Sequence, residues 1–210
     1  LNKCGFEAYI VGGCVRDSIL GLVPQDWDIA TNATPLEVKG LFGKTVDTGI
    51  QHGTVTVMLG TAGYEVTTYR VEGEYADNRR PSEVSFTGSL EDDLSRRDFT
   101  INALAYHPAE GLVDLFNGLN DIRKKIIRTV REPDERFQED ALRMLRAVRF
   151  AAQLNFVIEV STLQSIRNNS CLLNNISRER IRDEVTKILL SSHPERFVLI
   201  NDLGMFDCVF

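Results

Sequence analysis

The stretch from Tyr9 to Thr31, YIVGGCVRDSILGLVPQDWDIAT, decides the fold. Tyr9-Ile10-Val11 reads as a short strand, Gly12-Gly13 as a turn, and Val15 to Leu20 as the first turns of a helix that Gly21 ends. Glycines at such a turn let backbone N–H groups approach a phosphate, and a helix N-terminus adds partial positive charge. Farther on, Asp26 and Asp28 flank Trp27. Read as a strand, this segment projects both carboxylates to one face and Trp27 to the other, and two carboxylates that close can hold a divalent cation. A Gly-Gly turn alone is ordinary punctuation, and an alternating aspartate pair alone is a common strand end. Their succession, with Arg16 just beyond the glycines, favours nucleotidyl transfer.

Downstream, strands and helices continue to alternate. Thr34-Pro35-Leu36-Glu37 opens a helix with a capping hydroxyl, proline at the first helical position and an early acid, ending near Gly40-Leu41-Phe42. Thr54 to Leu59 and Tyr64 to Tyr69 are β-rich runs around a Gly60–Gly63 turn and read as a hairpin. Residues 71–82, VEGEYADNRRPS, have no periodicity and read as a mobile loop. A strand is expected at Val84-Ser85-Phe86, then a helix from Ser89, then LSRRDFTINALAY leading into a further strand; turns are expected at His107 to Gly111 and at Gly118.

Beyond about residue 132 the pattern is helical only. From Asp134 to Ala152, Phe137, Ala141, Leu145, Val148 and Ala152 recur at helical spacing and predict one amphipathic helix. Ser161–Leu172, Ser177–Leu190 and Pro194–Leu203 repeat the helical signature, two of them with serine caps. The expected architecture is α+β: a small mixed-sheet head over residues 1–130 and an all-helical region over 131–210.

The chain has 210 residues, 43% hydrophobic and 26% charged, as in ordinary globular proteins. Its net charge of −6 argues against nucleic-acid binding by bulk attraction, although local basic clusters exist at Arg79-Arg80, Arg96-Arg97, Arg123 to Arg128 and Arg178 to Arg182. Cys4, Cys14, Cys171 and Cys208 are dispersed without zinc-ligand spacing, and read as reduced packing thiols of a cytoplasmic protein. No apolar run approaches membrane-spanning length. The first residue, Leu1, and the ending MFDCVF read as those of a segment of a longer protein.

Three constellations carry candidate chemistry. Glu65, on the second strand of the hairpin, would complete a carboxylate cluster with Asp26 and Asp28 if its strand lies beside theirs; such oxygen ligands suit Mg²⁺, and two ions clamp an in-line displacement. Arg97, or Arg96, offers a guanidinium fork to triphosphate oxygens, or else pairs with Asp92 or Asp93. In Glu139-Asp140-Ala141-Leu142-Arg143, the predicted helix puts Asp140 and Arg143 one turn apart on one face, with Arg146 and Arg149 following. A carboxylate only accepts and a guanidinium only donates. Adenine and cytosine share an amine beside an accepting ring nitrogen, which this pair matches; guanine and uracil present the reverse and would leave buried polar groups unpaired.

YIVGGCVRDSILGLVPQDWDIAT, YEVTTYR, LSRRDFTINALA and RFQEDALRMLRAVRF, in this order, resemble the successive motifs of class II tRNA nucleotidyltransferases, the CCA-adding enzymes and bacterial poly(A) polymerases of the polymerase-β-like superfamily. The resemblance implies a nucleotidyltransferase head and a helical neck, with the family's tRNA-gripping body and tail lying outside this chain. It implies that Gly12, Gly13 and Arg16 contact nucleotide phosphates, that Asp26 and Asp28 hold Mg²⁺ with Glu65 as third carboxylate, and that Arg97 binds the incoming nucleotide. Asp140 and Arg143 would read its base, and Arg146 and Arg149 would contact the nucleotide. The implied partners are ATP, CTP and the tRNA 3′ end, with no membrane; the oligomeric state is not implied. Thr48 to Thr54 stands where bacterial poly(A) polymerases carry an arginine-rich signature, and residues 71–82 supply a loop that CC-adding relatives tend to lack, so CCA addition ranks first. A-addition, poly(A) synthesis, adenylylation of a small molecule and a non-catalytic RNA-binding module are the alternatives. His52 lies near the expected site with no role assigned.

Overall fold

The computed structural model describes residues 1–73 and 84–210. In chain order the elements are β1 (Ala8–Val11), α1 (Gly13–Ile19), β2 (Asp28–Thr31), α2 (Pro35–Leu41), β3 (Thr45–Gly49), β4 (Thr54–Leu59), β5 (Ala62–Thr68), β6 (Arg70–Glu72), β7 (Val84–Phe86) and α3 (Leu90–Ser95). They continue with β8 (Ala105–His107), β9 (Gly111–Val113), α4 (Gly118–Lys124), β10 (Ile126–Ile127), α5 (Pro133–Glu139), α6 (Leu142–Leu154), β11 (Val157–Ile158), α7 (Val160–Asn169), α8 (Arg178–Leu189), α9 (Val198–Asp202) and α10 (Phe206–Val209).

The chain forms two compact units. The first holds Leu1–Gly73, the described residues up to Arg97, and Ile101–Leu119; the second holds Asp98–Thr100 and Asn120–Phe210. The last segment of the second unit begins at Asn120.

In the first unit, the main sheet has the strand order β3-β4-β5-β2-β1-β8-β9 among the described residues. β2 and β5 run parallel and the other neighbours antiparallel. Because β2 returns to β5 through α2, β3 and β4, distant segments of sequence become sheet neighbours. On one face Tyr9, Val11, Ala30 and Ala105 form a core with Tyr69 and Leu94. On the other, Val55, Val57 and Val66 pack with Ala33 and with Val38 of α2. α2 starts where expected: Thr34 and Glu37 form a capping box, with proline at the first turn. β6 pairs with β7, so Val71 and Glu72 belong to a strand and not to a loop. The rest of the expected loop lies outside the described residues.

In the second unit, the stripe Phe137, Ala141, Leu145, Val148 and Ala152 is fully buried. α6 packs against α8, and α5 against α7. This part is not helical only, since β11 pairs in parallel with β10. The predicted helix from Asp134 to Ala152 is two helices, α5 and α6, parted at Asp140. α7 is capped by the Glu159 carboxylate accepting from Thr162 N–H, not by Ser161, and Ser177 precedes α8 without a side-chain cap bond. Among the described residues no helix is long and apolar enough to cross a membrane.

Candidate active site

β1 runs into Gly12, whose φ of 80° and ψ of −138° suit glycine and strain any residue with a β-carbon. Space makes the same demand. A β-carbon at Gly12 would lie 2.8 Å from an Arg97 guanidinium nitrogen and 3.8 Å from the Asp28 carboxylate. The missing side chain is thus what admits both charged groups to the turn. Gly12 N–H is tied to the Leu104 carbonyl at 3.0 Å. Arg16, on α1, is buried; it pairs with Asp17 at 2.7 Å and donates to Asn102 at 2.5 Å. One of its nitrogens lies 3.6 Å from where a Gly13 β-carbon would stand.

Asp28 opens β2, and in the parallel register its partner on β5 is Glu65. Register partners point to the same face, so the two carboxylates are neighbours. Asp26 lies in the bend before β2 rather than in the strand, which corrects the alternation expected for the aspartate pair. Its charge nevertheless reaches both others. Burial pushes the Asp28 carboxyl up, Arg97 opposes that, and Asp26 adds to it. Glu65 is also raised, by partial burial and then by Asp28 and Asp26. Among the described residues, no three acidic, histidine or cysteine side chains form a ready metal cage. The donor set still fits a hard divalent cation: it is all oxygen and anionic, and it leaves positions for waters and phosphate oxygens.

Arg97 follows α3, which starts at the Ser89 cap. Asp93 is fully buried and bonds both Arg96, at 2.6 Å, and Arg97, at 3.1 Å. Burial alone would raise the Asp93 carboxyl, but Arg96 and Arg97 outweigh it and hold it below the usual carboxylate range. The ion pair and the phosphate fork are thus compatible readings of Arg97, since Asp93 aims the guanidinium that approaches Gly12. Beyond Arg97 comes a 3-10 turn at Thr100–Asn102, and the strand into which LSRRDFTINALAY leads is β8, starting at Ala105.

In the second unit, Asp140 has an extended backbone, φ −137° and ψ 102°, and ends α5. Its carboxylate accepts from the Leu142 N–H at 3.1 Å, an alternative to the helical ladder that breaks the helix here. Asp140 and Arg143 accordingly do not share the face of one continuous helix. Asp140 pairs with Arg180 at 2.9 Å. Arg143 is buried, pairs with Glu139 at 2.5 Å and donates to the Arg136 carbonyl at 3.1 Å, while Arg136 also pairs with Glu139. Arg146 pairs with Asp98 at 2.5 Å. Arg149 pairs with Glu184 at 3.1 Å and lies 4.4 Å from the Phe150 ring centre. The pairings with Asn102, Asp98, Arg180 and Glu184 are met only through the fold, which brings together residues distant in sequence. His52 sits in a 3-10 turn and accepts from Arg70 through its carbonyl.

Comparison with known proteins bears on the family and the fold. Residues 8–128 match the family model of the poly A polymerase head domain, and residues 155–210 match that of a probable RNA- and SrmB-binding site of polymerase A. The CCA-adding enzyme of Limosilactobacillus reuteri is 55% identical over 194 residues, 92% of this chain and 48% of that protein. That of Lactiplantibacillus plantarum is 56% identical over 194 residues, with the same coverage. The solved CCA-adding enzyme of Bacillus stearothermophilus in complex with CTP superposes with a TM-score of 0.91 at 45% identity, over 98% of this chain and 50% of that one. The Thermotoga maritima CCA-adding enzyme complexed with tRNA gives 0.83 at 28% identity, over 100% of this chain and 49% of that one. The chain spans about half the length of the curated relatives it matches. With its glycine turn, sheet-paired carboxylates and head-domain match, the chain belongs to the poly A polymerase head-domain family.

Proposed function

We propose that this chain is the nucleotide-handling part of a tRNA nucleotidyltransferase that adds C and A to the tRNA 3′ end from CTP and ATP, releasing pyrophosphate. Residues 1–130 serve as the head and 131–210 as the neck. The observation that carries the reading is the approach of the Arg97 guanidinium and the Asp28 carboxylate to a glycine turn, with Glu65 beside Asp28. Relatives named CCA-adding enzymes, solved with CTP and with tRNA, support the choice of substrates.

Asp26 and Asp28 would hold Mg²⁺, with Glu65 alongside. When bound, magnesium neutralises phosphate charge and lowers the pKa of a coordinated hydroxyl. Gly12 and Gly13 leave room for the phosphates, and Arg16 and Arg97 supply positive charge as the leaving pyrophosphate gains negative charge. The 3′-hydroxyl oxygen attacks the α-phosphorus, the bond to the β-phosphate oxygen breaks, and Asp26 or Glu65 takes the hydroxyl proton. Asp140 accepts from the exocyclic amine of cytosine or adenine and Arg143 donates to the ring nitrogen. Arg146 and Arg149 add nucleotide contacts. Poly(A) synthesis is the second reading, favoured by the name of the matching head-domain model.

The deciding experiment gives the full-length protein a tRNA lacking its 3′ end and each nucleoside triphosphate separately and together. C and A incorporation that stops after two or three additions is expected; a long A tail overturns CCA addition in favour of poly(A) synthesis. Asp140→Ala is expected to lose discrimination against UTP and GTP, and unchanged selectivity would discard the base reading.

A further inference from the structure

Asp140, proposed above to read the base, has an aiming problem. Its backbone is extended at a break between helices, so no helical turn fixes where its side chain points. Arg180 solves this from α8, a helix anchored by buried Ile181, Val185 and Ile188. One guanidinium nitrogen donates to Asp140 Oδ2 at 2.9 Å and the other to Oδ1 at 3.4 Å, while the Leu142 N–H donates to Oδ1 at 3.1 Å. Both oxygens are thereby held, from two sides and by two different elements. Both side chains are partly buried, with exposures of 30% and 18%, which reduces solvent screening of the pair.

We propose that Arg180 is a positioning residue for base selection, a role that rests on the reading of Asp140 as a base contact. A carboxylate offers about four lone-pair directions. Arg180 and the Leu142 N–H occupy those on one side, which orients what remains on Oδ2 toward an incoming amine. A carboxylate accepts only and so cannot donate to the carbonyl of uracil or guanine. Selection for amine-bearing bases thus depends on a residue that touches no nucleotide.

The test compares Arg180→Gln, Arg180→Lys, Asp140→Ala and the Gln/Ala double variant in the full-length protein, with steady-state constants for CTP, ATP, UTP and GTP. Arg180→Gln is expected to raise KM for CTP and ATP roughly tenfold with a much smaller change in kcat, and to lower the CTP-over-UTP preference roughly tenfold. Arg180→Lys should recover part of that preference, since it keeps the charge but loses the fork. In the Asp140→Ala background, Arg180→Gln should change the preference no further. If Arg180→Gln keeps its fold and its CTP-over-UTP preference while Asp140→Ala loses it, the positioning role is wrong and the base reading stands. If Asp140→Ala also keeps its preference, the base reading fails and this proposal with it. Should Arg180→Gln not fold, Arg180→Lys with an unaltered preference overturns the role in the same way.

Discussion

Asp28 and Glu65 are register partners across the parallel strands β2 and β5, so two carboxylates distant in sequence lie side by side on one face of the sheet. Both carboxyls are pushed upward by burial, and each is further raised by a neighbouring acid. A fold that crowds acids in this way destabilises the site as it stands and makes it receptive to cations.

Asp28→Ala should therefore abolish nucleotide incorporation without unfolding the protein. Losing several kcal/mol of transition-state stabilisation, at about 1.4 kcal/mol per tenfold, means a fall in kcat/KM of at least roughly a thousandfold. Removing a repelled, half-buried charge should leave the melting temperature unchanged or raised. Retained turnover with Mg²⁺ would refute the assignment.

Gly12→Ala should fail on two grounds. The backbone conformation costs about 1–3 kcal/mol for a residue with a β-carbon, and the methyl would stand 2.8 Å from the Arg97 guanidinium. Urea denaturation should show the loss of stability, and the KM for nucleotide should rise as Arg97 is displaced. A Gly12→Ala protein with native stability and KM would show that this approach carries no weight.

Arg146→Met removes the ion pair that Arg146 makes with the nearly buried Asp98 carboxylate. Breaking a fully buried pair costs about 3–5 kcal/mol; the one-third exposure of Arg146 lowers the expectation to about 2 kcal/mol. Adding Asp98→Asn should restore part of it, because the amide oxygen can still accept from the Phe99 N–H that Asp98 now binds at 2.8 Å. Additive losses in the double-mutant cycle would deny the coupling.

Stability should fall on acidification through Asp93. Its carboxyl lies below the ordinary range in the folded state, so its contribution is complete above the unfolded pKa of about 4 and disappears as pH drops through the lower folded value. Asp93→Asn should be less stable than the parent at pH 7 and should converge with it toward pH 2–3. Urea midpoints followed across that window decide it; parallel curves would mean that the pair adds nothing.

Local signals were the ones legible in the sequence. The Thr34 capping box, the glycine turn after β1 and the β4–β5 hairpin each rest on neighbouring residues, and each stands where expected. β3 escaped notice because Thr45 to Gly49 lacks a buried alternating face. The break at Asp140 was hidden for the opposite reason: Phe137, Ala141, Leu145, Val148 and Ala152 stay in phase across it, and all are buried. The candidate site was legible as residue types but not as pairings. Whether Arg97 serves Asp93 or the glycine turn, and which groups hold Asp140 and Arg146, depends on contacts that only the tertiary fold creates.

Asp98, Phe99 and Thr100 belong to the second unit, although the chain on either side of them belongs to the first. The two halves are consequently interleaved, and no single scission separates them cleanly. A fragment beginning at Asn120 would lack the carboxylate for Arg146, the ring that meets Phe150 edge-on at 5.7 Å and the hydroxyl that donates to Asp121 at 2.7 Å. A chimera spliced between Leu119 and Asn120 would hand the recipient half a foreign tripeptide at its centre, so exchanges between relatives must transplant that tripeptide along with everything after Leu119.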